Sequence, residues 1–358
     1  MKFSIGINYG RFNDATSMDD VSRDALELVK IADQGGFDIV WTAEHHTIEV
    51  TASPNPFQIL AFWASQTKNI RLGTGVVSAP YWNPIRLAGE AGLCDVISGG
   101  RLELGFGRGS YQYEFDRMGG GMPQQEGGRY MRELIPAVRE LWKGDYEHNG
   151  EIWKFPATTA APKPMQKPVP MWIAARDQNT FEFAIQNGCS IMSTALRRPF
   201  SEVVALEARF RDAVKAYHAG GGKDQPEHLT LRLGCVWEDK ATRDIAVKSM
   251  IEYGRGFENL FKNIATVRNG FPDLVDFDVL ANRDEFLPDS LIENTMSGTP
   301  DEVIAKLERY HAAGIRHFML GTTFGLPKEI SRRSVELFCD RVIPHFKAKA
   351  SAEARVSA

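Results

Sequence analysis

An acid and two bases stand side by side at Glu44-His45-His46, directly after the apolar run Phe37-Asp38-Ile39-Val40-Trp41. A strand that finishes in ionisable groups is the layout of an α/β-barrel active site, where the C-terminal strand ends supply the working residues. Neighbouring side chains on an extended chain point in opposite directions, so the two histidines should serve different partners. One is expected to face the barrel mouth, the other to pack or hydrogen-bond away from it.

A second constellation is Gly100-Arg101-Leu102-Glu103-Leu104-Gly105-Phe106-Gly107-Arg108-Gly109-Ser110-Tyr111, a strand running into a glycine-rich loop. Arg108, the Ser110 hydroxyl and exposed backbone N–H groups suit a phosphate, and Arg108 would be costly to bury without an anionic partner. The glycines miss the GxGxxG spacing, and Tyr111-Gln112-Tyr113-Glu114-Phe115 opens no obvious helix, which argues against a nicotinamide fingerprint. The plainer reading of these glycines is a strand end packed tightly against its neighbours. A third element, Ala174-Ala175-Arg176-Asp177-Gln178-Asn179-Thr180, lies where a strand turns into a helix; Arg176, Thr180 and the helix N-terminus could draw an anion. Capping alone would also account for Asp177 and Asn179. In Leu72-Gly73-Thr74-Gly75-Val76-Val77-Ser78, two glycines inside a strand mark a bulge or a close backbone approach.

These residues need a scaffold, and the chain alternates short apolar strands with amphipathic helices almost from its start, the pattern of a parallel sheet with crossover helices. Strands are expected at Phe3–Tyr9, Asp38–Thr42, Ile70–Ser78, Leu102–Phe106, Met171–Ala175, Ser190–Ser193, Leu231–Val236 and His317–Leu320. Eight such units make a (β/α)8 TIM barrel. Helices are expected at Val21–Gln34, Phe57–Thr67, Pro84–Ile97, Arg129–Lys143, Phe181–Gln186, Phe200–His218, Pro300–Ala313 and Lys328–Phe346. Two stretches break the repeat: a hairpin over Asp145–Phe155 turning at Asn149-Gly150, and an irregular region, Ile264–Ser297, read as a lid or a solvated connector. Residues 1–348 are read as a single domain and 349–358 as a polar tail. Gly119-Gly120-Gly121 and Gly220-Gly221-Gly222 read as turns.

The 358 residues carry a net charge of -4 with both signs interspersed, which excludes a basic nucleic-acid surface and points to small-molecule partners. Four scattered cysteines without a CxxC pair fit buried thiols in the cytoplasm, and no apolar run suggests a signal peptide or membrane span. Asn8, Tyr9, Trp63, Trp82, Tyr111, Tyr113, Met192 and Thr194 are candidates for an aromatic-lined pocket, although buried aromatics are more often core.

Taken in order, Ala43-Glu44-His45-His46, Leu72-Gly73-Thr74-Gly75, Gly100-Arg101-Leu102 and Gly107-Arg108-Gly109-Ser110-Tyr111 resemble the bacterial luciferase-like flavin monooxygenases. Gly298-Thr299-Pro300-Asp301-Glu302-Val303, His317-Phe318-Met319-Leu320 and Leu337-Phe338-Cys339-Asp340-Arg341-Val342-Ile343-Pro344 are similar to that family's C-terminal signatures, so the resemblance spans nearly the whole chain. It implies a luciferase-like barrel that binds reduced FMN, forms a flavin C4a-(hydro)peroxide with dioxygen and oxidises a small organic substrate. It further implies a separate NAD(P)H:flavin reductase and a homodimer. His45 matches the family's catalytic histidine, a residue whose pKa near neutrality suits proton transfer, and Glu44 matches the carboxylate beside it. Gly75-Val76 falls where the family carries a non-proline cis peptide under the flavin ring. Arg108 matches its phosphate-binding arginine, Ser110 and Tyr111 its flavin-contacting positions, and Thr180 its phosphate-contacting threonine. Here Arg176-Asp177 replaces the family's glutamate-serine pair.

Three other readings compete. A coenzyme F420-dependent oxidoreductase would use the same fold for hydride transfer. A metal-dependent barrel hydrolase would want His-x-His on an early strand, which the adjacent His45-His46 does not supply. A non-catalytic flavin-binding partner would have little use for His45.

Overall fold

The structure is a computed structural model that describes residues 1–280 and 283–356. Eight parallel strands form its centre: β1 Lys2–Gly6, β2 Ile39–Thr42, β3 Arg71–Thr74, β4 Leu102–Gly107, β5 Met171–Ala174, β6 Ser190–Thr194, β7 His228–Leu233 and β8 His317–Gly321. They run in the order β3-β2-β1-β8-β7-β6-β5-β4, and pairing of Leu72 with Leu102 and Gly73 with Glu103 joins β3 to β4 and closes the barrel. A two-residue strand, Val77–Ser78, extends the β4 pairing towards the mouth. All eight expected strands are present.

Helices wrap the outside: α1 Met18–Gly35, α2 Pro56–Ala64, α3 Pro84–Ile97, α4 Gln112–Met118, α5 Gly127–Lys143, α6 Gln178–Gln186, α7 Phe200–Ala219, α8 Lys240–Lys262 and α9 Pro300–Ala312. Side chains of Asn55, Asn83, Asp177 and Asp239 cap four of them, and Thr299 with Glu302 forms a full capping box on α9. The C-terminal helical stretch runs from Lys328 through a π-turn at Phe338–Val342 to Val356, continuing through 349–356, and 357–358 lie outside the described residues. Among the described residues no helix is long and apolar enough to cross a membrane.

Side-chain alternation sorts the strands into an outer face buried under helices and an inner face that fills the barrel. Ile39, Trp41, Trp172, Met192, Leu229 and Met319 pack inside. At the base the filling turns polar: Ser4 Oγ lies 2.8 Å from His317 Nε2, and His317 Nδ1 lies 3.2 Å from Glu227, which also pairs with Lys2 at 2.5 Å. The His317 hydrogen bond, outweighing burial, holds the Glu227 carboxyl down at about 2. Trp41 occupies the space left by Gly73, where a Cβ would lie 2.1 Å from the indole.

Two elements depart from the sequence expectation. Strand β7 begins at His228, three residues earlier than Leu231, because two of its outward positions are polar and satisfied by helices. His228 bonds Ser193 at 2.6 Å and Glu207 at 2.7 Å, and the Arg232 side chain donates to Tyr310 at 3.0 Å. The 23-residue α8 was not anticipated; its buried face mixes Ser249, Gly254, Gly256, Glu258 and Asn259 with apolar residues, which dilutes the helical period.

The hairpin pairs Tyr146–Asn149 with Lys154–Thr158. Within 264–297, positions 281–282 lie outside the described residues. The remainder forms the small hairpin Val267–Arg268 and Phe271–Pro272 and the short helices Phe277–Leu280 and Pro288–Asn294. It is tied to α8: Asn259 Nδ2 donates to Thr266 O at 3.1 Å and Asp273 O at 3.0 Å, and Arg283 pairs with Glu258 at 2.8 Å.

Candidate active site

The chain leaves β2 with its backbone pinned from three sides. Ala43 N donates to Asn8 Oδ1 at 2.9 Å, Glu44 N to Val76 O at 3.0 Å and His45 N to Ser53 O at 3.1 Å. Adjacent side chains then diverge as extended backbone requires. Glu44 turns into the protein, 2% exposed: one oxygen accepts from His46 Nε2 at 2.7 Å, the other from Ser78 N at 2.8 Å and Trp82 Nε1 at 2.7 Å. His45 turns the opposite way into a cavity of about 640 Å³.

His45 Nδ1 lies 3.1 Å from both carboxylate oxygens of Glu114, and the His46 backbone N–H donates to Glu114 at 2.6 Å. A carboxylate accepts only, so Nδ1 carries the proton and Nε2 is left for the cavity. Tyr111 stacks on the imidazole at a centroid distance of 4.8 Å and 22°. Burial by itself pulls the His45 pKa down, but the charge and hydrogen bond of Glu114, aided by Glu44, outweigh it and the pKa is raised.

The structure corrects three expectations. Glu44 does not reach the cavity, because its oxygens are consumed by His46, Ser78 and Trp82; the carboxylate that touches the histidine is Glu114, on α4. Helix α4 itself stands where the segment after Tyr111 suggested none. Tyr111 lies behind His45 rather than on the cavity wall, and burial drives its phenol pKa well up. The signal for Glu114 was present as one acid among Tyr111, Tyr113 and Phe115, a carboxylate that an apolar setting obliges to find a partner.

The other candidates gather as expected. His45, Gly75, Val76, Arg108, Ser110, Arg176, Asp177 and Thr180 all line the one cavity. The Gly75-Val76 peptide is cis, as the resemblance implied. Arg108 is exposed to the cavity, so the expected cost of burying it does not arise. Arg176 is exposed onto the cavity; desolvation by the surrounding protein and then the cations Arg108 and Arg198 lower its pKa. Asp177 caps α6, accepting from Thr180 N and Thr180 Oγ1, each at 2.9 Å. The glycines allow close packing: a Cβ at Gly105 would lie 2.2 Å from Thr74 O and one at Gly107 2.4 Å from Val76.

Could this cavity hold FMN? Its volume is within the about 300–1,000 Å³ of small-molecule sites. At one end Arg129 is engaged by Glu126 and Glu151, whereas Arg108, Arg132 and Arg176 have no ion-pair partner among the described residues, which suits a phosphate. Val76, Met192, Leu231 and Met319 supply an apolar floor. The residues fit the group. The expected aromatic lining is not realised by the residues named for it: of those candidates only Met192 and Thr194 line the cavity, Trp63, Trp82, Tyr111 and Tyr113 are buried outside it, and the ring that does line it, Phe261, was not among them.

The chain matches the family described as luciferase-like monooxygenase over residues 1–317. It is 39% identical over 347 residues to the oxygenase component of a flavin-dependent trigonelline monooxygenase from Acinetobacter baylyi, covering 97% of this chain and 96% of that protein. Among solved structures, monooxygenase RslO1 from Streptomyces bottropensis superposes with a TM-score of 0.81 at 28% identity, covering 97% of this chain and 100% of the other. The FMN-bound oxygenating constituent of 3,6-diketocamphane monooxygenase from Pseudomonas putida shares the fold, with a TM-score of 0.73 at 20% identity over 96% of this chain and 98% of its own.

Proposed function

Since this chain belongs to the luciferase-like monooxygenase family, we propose that it is the oxygenase half of a two-component system, receiving reduced FMN from a separate NAD(P)H-dependent flavin reductase. The chain is a flavin-dependent monooxygenase with FMN as its cofactor, and the F420-dependent alternative is the less supported. Its substrate, on this reading, is a small N-heterocyclic carboxylate of the kind named for the Acinetobacter relative. The observation that carries the reading is one cavity with a carboxylate-held histidine and an arginine-lined anion end.

Reduced FMN supplies the two electrons with which dioxygen is split between substrate and water. The protein's own residues bind, orient and move a proton. Arg108, Arg176, Ser110 and the first amides of α6 would hold the phosphate, with Asp177 fixing the helix start through the Thr180 amide and hydroxyl, which could turn to the phosphate only by leaving Asp177. Gly75 and Val76 shape the ring site, and the floor of Val76, Met192, Leu231 and Met319 excludes water from it. His45 takes or returns a proton at Nε2 while Glu114 fixes its tautomer. Glu44 acts indirectly, by holding His46 and the Ser78 segment.

The test supplies chemically reduced FMN and isotopically heavy dioxygen with trigonelline and related heterocycles. One labelled oxygen in the product is expected; hydride transfer without label would sink the oxygenase reading. The position of Glu114 gives a further expectation. Glu114→Gln removes the charge that raises the His45 pKa, so the acid side of the rate profile should move to lower pH. A profile that stays in place would remove Glu114 from the proton machinery.

Residues 1–348 act as one domain, with the hairpin as decoration and the described parts of 264–297 as the frame of a cover, tied to α8 rather than lining the cavity. Four buried, unpaired thiols suit the cytoplasm. A second copy covers α2 and α3, where Phe62, Leu93, Val96 and Ile97 stand 42–52% exposed. Light scattering should return twice the chain mass, and Ile97→Glu should lower it; a monomeric wild type would refute the pairing.

A further inference from the structure

Helix α8 carries three rings at four-residue spacing, Tyr253, Phe257 and Phe261, on the face turned to the barrel mouth. Phe261 stacks on Phe257 at 5.7 Å and 18°, Phe257 meets the edge of Tyr111 at 6.0 Å and 80°, and Tyr111 stacks on His45. An unbroken line of rings therefore joins the candidate catalytic imidazole to a phenyl group at the mouth. The outermost ring differs from the rest: Phe257 covers one of its faces, yet Phe261 remains 40% exposed and lines the cavity with His45. An exposed ring held rigid by the ring behind it is poorly explained as packing and well suited to receive a flat ligand.

Charge in the cavity is asymmetric. The arginines and, among the described residues, the only lining carboxylate, Asp177, belong to the anion end, and Asp177 accepts from Thr180. Among the described residues a ligand whose ring carries positive charge would find no carboxylate on the cavity wall apart from Asp177 at the anion end, and Phe261 offers an exposed π face able to stabilise it. We propose that Phe261 is the platform for the substrate ring and selects an N-alkylated, cationic heteroaromatic carboxylate over its counterpart lacking the N-alkyl group. This rests on the monooxygenase reading above and names the specificity element of that same site. The ring stacks on Phe261 at the mouth, leaving Arg108 and Arg176 to the phosphate of FMN.

Equilibrium binding of two probes, trigonelline and nicotinate, to the full chain loaded with oxidised FMN tests this directly. Wild type should bind trigonelline about tenfold more tightly than nicotinate, and Phe261→Leu should weaken trigonelline by a similar factor and remove the preference. FMN affinity should stay the same, and Phe261→Tyr, which keeps the π face, should retain the preference. Circular dichroism on each variant checks the fold. Equal binding of the two probes by wild type, or an unchanged preference in Phe261→Leu, overturns the proposal while leaving the oxygenase reading intact. Failure of wild type to bind FMN would instead overturn the reading beneath it.

Discussion

Alanine at position 45 is expected to lower product formation about 10²–10⁴-fold, the range for losing a positioned acid–base group, while reduced FMN still binds. The separation follows from geometry. His45 meets the cavity through one ring, whereas the arginines, Ser110 and the first amides of α6 that would hold the phosphate stand on other elements. Removing the imidazole also leaves Glu114 with only the His46 amide as a partner and opens the space above Tyr111. Part of the loss therefore comes from a carboxylate set adrift. Oxygen uptake and product should be followed together, since flavin oxidation uncoupled from product is the signature of a missing proton-transfer group. Unchanged turnover would sink the catalytic assignment.

The largest stability effect is expected at Trp41. Its side chain is 1% exposed, sits edge-on to Trp172 at 5.5 Å and fills the space over Gly73. Truncation to alanine removes that packing and leaves a void in the barrel interior, costing about 3–5 kcal/mol. Its indole N–H has no hydrogen-bond partner among the described residues, so what is lost is shape and contact rather than a polar link. The complementary change, Gly73→Ala, drives a methyl into the indole and should cost about 1–3 kcal/mol. Urea unfolding at fixed FMN concentration measures both. A loss under about 1 kcal/mol for Trp41→Ala would mean that the interior collapses around the vacancy.

The sequence made the scaffold legible wherever burial leaves an unbroken apolar signature. Each barrel strand shows as a short aliphatic run between turns, and Arg108, Ser110, Arg176 and Thr180 stand out at strand ends, whereas Arg132, inside the amphipathic α5, carries no such signal. What it hid had physical causes. Helix α8 buries glycines, a glutamate and an asparagine, so the usual stripe is broken. Glu114 belongs to the site because a short helix swings it under His45 across 69 positions of chain, a relation no local pattern carries. Glu44 turns inward because its partners, Ser78 and Trp82, arrive from another segment, which its own neighbourhood in sequence does not show. Neighbourhood in sequence made Glu44 the obvious companion of His45; alternation of side chains made it the wrong one.

The pairing of β1 with β8 has a consequence for how the protein comes off the ribosome. Lys2–Gly6 bonds Ile39–Thr42 on one edge and His317–Gly321 on the other. The first edge finds its partner after a few dozen further residues of synthesis, but the second waits until residues 317–321 have emerged. Throughout that interval the N-terminal strand presents an open edge, the kind that recruits neighbouring chains. Its short length and the polar Lys2 and Ser4 within it make it a poor template for such pairing, so the nascent protein keeps its seam unsealed at low hazard until the last strand arrives.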